Sequence, residues 1–339
     1  MEYPYKLDQF FDALYEQDRH WGETLLTSDP AVFFQVQQEK RAQLRQRLGI
    51  DKLEKMAALL PPQQPEILDQ VKKEGCTIQQ LGLTILPGLT MPAYVLTPDH
   101  PRLDQEGKPI GMLYCHGHGR GGIRDCFERK DPPAYHKYIP LTLAERGYTV
   151  FTFEPVAFGD FRVTDYSGTD TGCYPVTTRL LLHGITTVGL RIFQADAMAK
   201  YLRSQGIVRY GVAGISGGGT VTSMYAALND QMSAVVISGY TNLFSHCVMA
   251  MHHCVDNFIP DVLQVGEIPY LIALAAPKPL YIASGLQDPI FPIEGTKEAI
   301  AILRDIYEKQ GIGDRISQEL FEGVHEFSEN FIDWLDQTL

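Results

Sequence analysis

Positive charge is in short supply in this 339-residue chain: 29 Lys and Arg stand against 41 Asp and Glu, a formal net charge of −12. A nucleic-acid or anionic-membrane surface needs clustered cations, so this balance argues against both partners. Long apolar runs are missing too. The longest, around Leu271–Ala276, falls far short of the ~20 residues that cross a bilayer. The opening residues, Met1-Glu2-Tyr3-Pro4-Tyr5-Lys6-Leu7-Asp8, offer neither the basic nor the apolar region of a secretory signal. Cysteine is sparse, six in all with no C-x-x-C pair, and a chain this long does not need disulfide staples. Buried thiols in a reducing compartment are therefore expected, and with them a cytoplasmic protein. Internal repeats and low-complexity tracts are absent.

What remains is an ordinary globular composition, 45% hydrophobic and 21% charged, with enough apolar material for a large core. The first 60 residues read as helical. Leu53, Met56, Leu59 and Leu60 fall on one helical face, and Pro61-Pro62 stops the segment. The expected organisation is a helical extension over residues 1–75 and a catalytic domain over 76–339. Two strands, Thr77–Leu86 and Met91–Leu96, flank a Pro87-Gly88 turn. From residue 110 strand and helix alternate. Strands are expected at Ile110–Cys115, Tyr148–Phe153, Val208–Ala213, Ala234–Ser238, Leu280–Ser284 and Ser317–Phe321. Helices are expected at Tyr138–Arg146, Val188–Leu202, Thr220–Leu228, Glu298–Lys309 and Phe327–Gln337. Such alternation predicts a mostly parallel sheet covered on both faces, with its chemistry in loops at the C-terminal strand ends.

The sharpest local pattern is Gly214-Ile215-Ser216-Gly217-Gly218, between the strand ending at Ala213 and the helix starting near Thr220. A G-x-S-x-G run in a strand–turn–helix context presents a serine hydroxyl on a strained turn and aims a helix N-terminus at it. Glycines flank the serine because side chains there would clash where strand and helix cross. The hydroxyl needs a base, and the base an orienting carboxylate. In the chain order Ser, acid, His, the matching residues are Asp288, after Gly285-Leu286-Gln287, and His325, after Glu322-Gly323-Val324. The competing readings are an Asx turn before Pro289 for Asp288 and a helix N-terminal position for His325.

After the strand at Ile110–Cys115 comes His116-Gly117-His118-Gly119-Arg120. An H-G-x-G loop supplies a backbone N–H to an oxyanion hole, with the N–H after the nucleophile as second donor, here His118 and Gly217. A metal pair at His116 and His118 is the rival. No further ligand cluster has metal spacing, and nothing in the sequence brings His252-His253-Cys254 to this loop. No metal is assigned, and His116 is read as a buried structural histidine.

From about Gly111 to Phe327 the chain resembles the α/β-hydrolase superfamily, and within it the dienelactone-hydrolase and acetyl-xylan-esterase-like group. The resemblance is carried by His116-Gly117-His118-Gly119, Gly214–Gly218, Ala276-Pro277-Lys278-Pro279-Leu280, Gly285-Leu286-Gln287-Asp288 and Gly323-Val324-His325, with His183–Leu202 and His253–Pro260 in support. It implies the α/β-hydrolase fold and hydrolysis of a carboxylic ester through an acyl-enzyme on Ser216, with no cofactor and a small ester as the partner. A short acetyl-type acyl group is expected. A peptidase or carbon–carbon bond hydrolase would use the same triad, and a homo-oligomer is compatible with the sequence. The lack of a repeat in front of the catalytic part weakens an oligopeptidase, and an intact Ser–Asp–His set weakens a non-catalytic binding module. Glu154, His253 and Asn257 are candidates for the pocket wall. The long 155–185 stretch, with Phe158, Phe161, Tyr166 and Tyr174, reads as a cap or pocket-lining insertion.

Overall fold

The computed structural model describes residues 6–61, 64–119, 121–163 and 172–339; Arg120, Tyr166 and the Pro62 of the expected helix stop lie outside them. Nine strands form one sheet: β1 (Glu66–Lys73), β2 (Cys76–Leu86), β3 (Leu89–Pro98), β4 (Gly111–Cys115), β5 (Thr149–Phe153), β6 (Tyr210–Ile215), β7 (Ala234–Ser238), β8 (Leu280–Gly285) and β9 (Ile316–Phe321). Their order is β1-β2-β3-β5-β4-β6-β7-β8-β9. The pairs from β1 to β5 are antiparallel, and those from β5 through β4 to β9 are parallel.

The parallel strands are short apolar runs because both their faces are covered. In β6, Tyr210 and Val212 enter the core on one face, while Ala213 and Ile215 enter the core on the other. That is the two-residue alternation of a pleated strand. The first core is closed by α3 (Pro30–Leu48), α7 (Thr187–Ser204), α8 (Gly217–Leu228) and α10 (Ile293–Lys309), the second by α5 (Ile139–Glu145) and α11 (Phe331–Thr338).

The N-terminal segment is helical, with α1 (Leu7–Asp18), α2 (Glu23–Thr27), α3 and α4 (Ile50–Ala57). The start of α3 follows from its sequence: Asp29 Oδ1 accepts the Ala31 N–H at 2.8 Å, Pro30 takes the first position, and Gly49 closes the helix at φ 75°. Gln37 and Arg41 of α3 donate to the carbonyls of Leu274 and Ala276, tying the segment to the body. The apolar face expected through Leu60 is shorter in fact. Ile50 and Leu53 are buried against α7, but α4 ends at Ala57, and Leu59 is 76% exposed.

Residues 66–73, assigned above to the extension, instead form the sheet's edge strand β1. Every residue of β1 is exposed. It has no buried stripe for a period-2 pattern to reveal, and backbone pairing with β2 holds it in place. α6 (Cys173–Leu182) and α9 (Ile268–Ala273) were also not anticipated. Among the described residues no helix is long and apolar enough to cross a membrane.

Register brings the strand ends together. Cys115 pairs with Gly214, Ile215 with Ser238, Ser238 with Ala283, and Gly285 with Phe321. The loops after β4, β6, β7, β8 and β9 thus leave one edge of the sheet side by side.

Candidate active site

Ser216 is the one residue between β6 and α8. Its φ of 56° and ψ of −124° place a residue with a side chain in a sparsely populated conformation. The Ser216 N–H donates to Ser238 O at 3.0 Å, and its carbonyl accepts from Thr220 N at 2.9 Å, so β7 and α8 hold the turn. The flanking glycines permit the crossing: a Cβ on Gly218 would overlap the Cys115 carbonyl, and one on Gly214 would overlap the Gly218 carbonyl. Gly217 opens α8, so its N–H is one of those a helix leaves unpaired at its positive end.

His325 Nδ1 lies 2.7 Å from Asp288 Oδ2. The other Asp288 oxygen accepts the N–H groups of Ile290 and Phe291 at 2.8 and 3.0 Å. The turn and the carboxylate–imidazole pair therefore coexist in one buried residue, each using its own oxygen. The His325 ring lies between Phe291 and Tyr135, with centroids 5.7 and 5.3 Å away. Assigned from this network, the Nδ1 proton faces Asp288 and Nε2 is left as the acceptor. Nε2 is buried with no hydrogen-bond partner among the described residues. Tyr135 stands in the same cavity lining as Ser216, and its hydroxyl donates to the His118 carbonyl at 2.6 Å. Burial pushes the Tyr135 phenol well above its ordinary range, so it is a neutral donor.

Ser216, Gly217, His118, Tyr135 and His325 line one cavity of about 500 Å³, with Met251–Cys254, Asn257, Ile290 and Phe291 on its other side. His253 and Asn257 stand on this wall. Burial pulls His253 below the usual histidine range.

No family model matches the chain. Over 289 residues it is 26% identical to a Bacillus subtilis (strain 168) protein named "Putative hydrolase YtaP", covering 81% of this chain and 89% of that one. Its structure is similar to that of a "putative acetyl xylan esterase" from Bacteroides fragilis NCTC 9343, with a TM-score of 0.74, 15% identity, and 100% and 96% of the two chains covered. It is also similar to a methylesterase, with a TM-score of 0.70, 22% identity, and 96% and 67% covered. The chain has the α/β-hydrolase fold.

Within this fold the loop after β4 packs deeply. His116 is fully buried, its Nδ1 2.8 Å from Gly117 O. Burial, reinforced by the neighbouring His116, pushes His136 down to about 3, so its Nε2–H donates to Gly117 O (3.1 Å) from a neutral ring. Glu154, expected at the pocket wall, is not among the residues lining the cavity. It is buried behind His116, with Oε1 3.2 Å from His116 Nε2 but not aligned for a hydrogen bond, and Oε2 accepting the Ile123 N–H at 3.0 Å. The reason is topological: β5 is separated from β6 by β4, so the end of β5 stands one strand further from Ser216.

The His118 side chain faces a second buried group. Its Nε2 is 2.9 Å from Asp256 Oδ2, to which Arg191 Nη1 also donates at 2.5 Å. Phe158 lies under both, its ring centroid 4.5 Å from that of His118 and 4.0 Å from the Arg191 guanidinium carbon. Burial opposes charge on His118, but Asp256 overrides it and raises the imidazole to about 9. Burial likewise opposes ionisation of Asp256, yet Arg191 and His118 hold it well below the carboxylate range. Cys173 Sγ donates to the same Oδ2 at 3.2 Å.

No described residue of 155–185 lines the cavity itself. Phe158 supports it through His118, Phe161 is half-buried, Tyr174 is exposed, and Tyr166 lies outside the described residues. Tyr135, Asp256, Arg191 and Cys173 escaped sequence reasoning. One signal existed: an arginine among the apolar residues of α7 calls for a buried carboxylate, although the partner is 65 residues away.

Proposed function

We propose that this protein hydrolyses carboxylic esters through an acyl-enzyme on Ser216, with a preference for short, acetyl-type acyl groups. The observation that carries this reading is the strained Ser216 turn opening into the same cavity as a histidine whose Nδ1 is held by a buried carboxylate. In this mechanism Ser216 Oγ gives its proton to His325 Nε2 and attacks the ester carbonyl. Asp288 keeps the tautomer and stabilises the imidazolium. The N–H groups of Gly217 and His118 bind the tetrahedral oxyanion. The proton then passes from His325 to the departing alcohol, and water repeats the sequence to release the acid. No step draws on a cofactor.

The esterase names borne by similarly folded proteins agree with this reaction class. The rings of Tyr135 and Phe291 line the cavity that holds Ser216, and in this reading the short acyl group sits between them. In the same reading, the helices within residues 1–75 brace the 76–339 catalytic unit, and Phe158 of the 155–185 stretch supports His118 from behind. A reducing, cytoplasmic setting is part of the proposal, in keeping with six cysteines of which no two are joined.

A panel of aryl esters, peptide anilides and β-diketones tests the reaction class. Aryl acetate should be turned over, Ser216→Ala should lose on the order of 10³-fold or more in kcat, and a phosphonate should add once, at Ser216. Turnover of only the anilides or diketones, or labelling at another residue of an active enzyme, would overturn the proposal.

A further inference from the structure

Behind the cavity wall, four donor atoms from three separate parts of the chain converge: His118 Nε2 after β4, Cys173 Sγ at the start of α6, and Cys254 Sγ and Asp256 Oδ2 after β7. All lie within 4.8 Å of one another. We propose that these four side chains form a zinc site, a structural centre that pins the His118 loop and the 254–256 wall to α6. The grounds are the donor set, its spacing and its surroundings.

One imidazole, two thiols and one carboxylate make a mixed N, S and O set. Such a set suits zinc, whereas magnesium and calcium take oxygen ligands. Zinc bonds are about 2.0–2.2 Å to N and O and about 2.3 Å to S, so donors on one ion must be close neighbours. Asp256 Oδ2 is already 2.9 Å from His118 Nε2 and 3.2 Å from Cys173 Sγ. Four protein ligands close the coordination sphere, which marks a structural rather than a catalytic ion. Cys173 and Asp256 are each 1% exposed, while His118 and Cys254 also line the cavity, so the site is buried on one side and can be reached by an ion from the cavity on the other.

Arg191 fits as an outer partner. Its Nη1 bonds Asp256 at 2.5 Å, and its Nη2 lies 3.6 Å from Cys173 Sγ; ligating groups are commonly held by such hydrogen bonds. As the ion enters, both thiol protons and the proton on His118 Nε2 leave to solvent. Two thiolates and a carboxylate then face a dication and a guanidinium, and the buried cluster is neutral. The chain bond from Nε2 to the ion would also fix the His118 ring above Gly217, where a Cβ would come 2.9 Å from Nδ1. Sequence spacing pointed elsewhere: the H-x-H pair splits, with His116 turned into the core, and the fold brings Cys254 to the loop.

The test needs the full chain without a polyhistidine tag. Purified protein should carry about one zinc per chain by mass spectrometric metal analysis, as a four-ligand centre requires. Cys173→Ser/Cys254→Ser, checked for folding by circular dichroism, should fall to background. Chelator-treated wild type, kept reduced, should take up cobalt(II) with a thiolate-to-metal charge-transfer band. That measurement needs no variant, so it stands if the double substitution fails to fold. Equal zinc in wild type and variant, no cobalt band in wild type, or a Cys173–Cys254 disulfide by peptide mapping of the native protein would overturn the proposal.

Discussion

At the residue scale, Asp288 holds the backbone with one carboxylate oxygen and His325 Nδ1 with the other, the pair that the proposed mechanism uses. Asp288→Asn keeps an oxygen for the Ile290 and Phe291 N–H groups, so the loop should fold unchanged. An amide placed against His325 Nδ1 favours the wrong tautomer, and kcat should fall on the order of 10⁴-fold, as in protease triads. Steady-state kinetics beside a matching circular dichroism spectrum separate this from unfolding; near-normal turnover would remove Asp288 from the mechanism. His136 supplies a pH prediction. Its folded pKa of about 3 lies below the unfolded value of about 6.5, so the unfolded chain binds the proton first. Stability is intact above pH ~6.5 and declines as pH falls towards ~3. His136→Gln can still donate to Gly117 O but does not titrate, so its melting temperature should fall less steeply across that window. Equal slopes in thermal melts at several pH values would contradict this. The serine, acid and histidine were legible because each follows a strand in a recognisable loop. Tyr135 was not, because only packing carries residue 135 over the β4 loop to Ser216.

At the scale of elements, the β6–α8 turn is the least tolerant part of the molecule. Gly218→Ala puts a methyl into the Cys115 carbonyl, where β4 and α8 touch through backbone. Core overpacking costs about 1–3 kcal/mol and sometimes more, and backbone here cannot step aside as a side chain can. Urea unfolding should therefore show destabilisation of at least that order, with activity lost in whatever fraction folds; a midpoint equal to that of wild type would refute the steric account. The central strands and α7, α8 and α10 could be read from periodicity, since each buries a continuous apolar face. β1 could not, because it buries nothing. The face drawn through Leu53, Met56, Leu59 and Leu60 overran α4 because periodicity does not report where packing against α7 stops.

At the scale of the whole molecule, the strand ends and the loops beyond them enclose a cavity of about 500 Å³, and its size should appear in substrate preference. Along acetyl, butyryl and octanoyl aryl esters, each methylene without room should cost about 1–3 kcal/mol in discrimination, giving a steady fall in kcat/KM. A maximum at octanoyl would mean a lipid-like substrate and a different pocket. The sequence by itself determined the alternation of strand and helix, the serine turn, and the order in which Ser216, Asp288 and His325 follow strands. These are local patterns, set by backbone sterics and by which faces need burial, and they are written within a few residues of each position. Only the tertiary structure decided that Glu154 stands behind the site, that Tyr135 bonds the His118 carbonyl beside Ser216, and that His118, Cys173, Cys254 and Asp256 converge beside Arg191. Such groupings arise from sheet order and loop packing between residues 17 to 138 positions apart. A buried charge finds its partner through the fold, and no spacing along the chain records it.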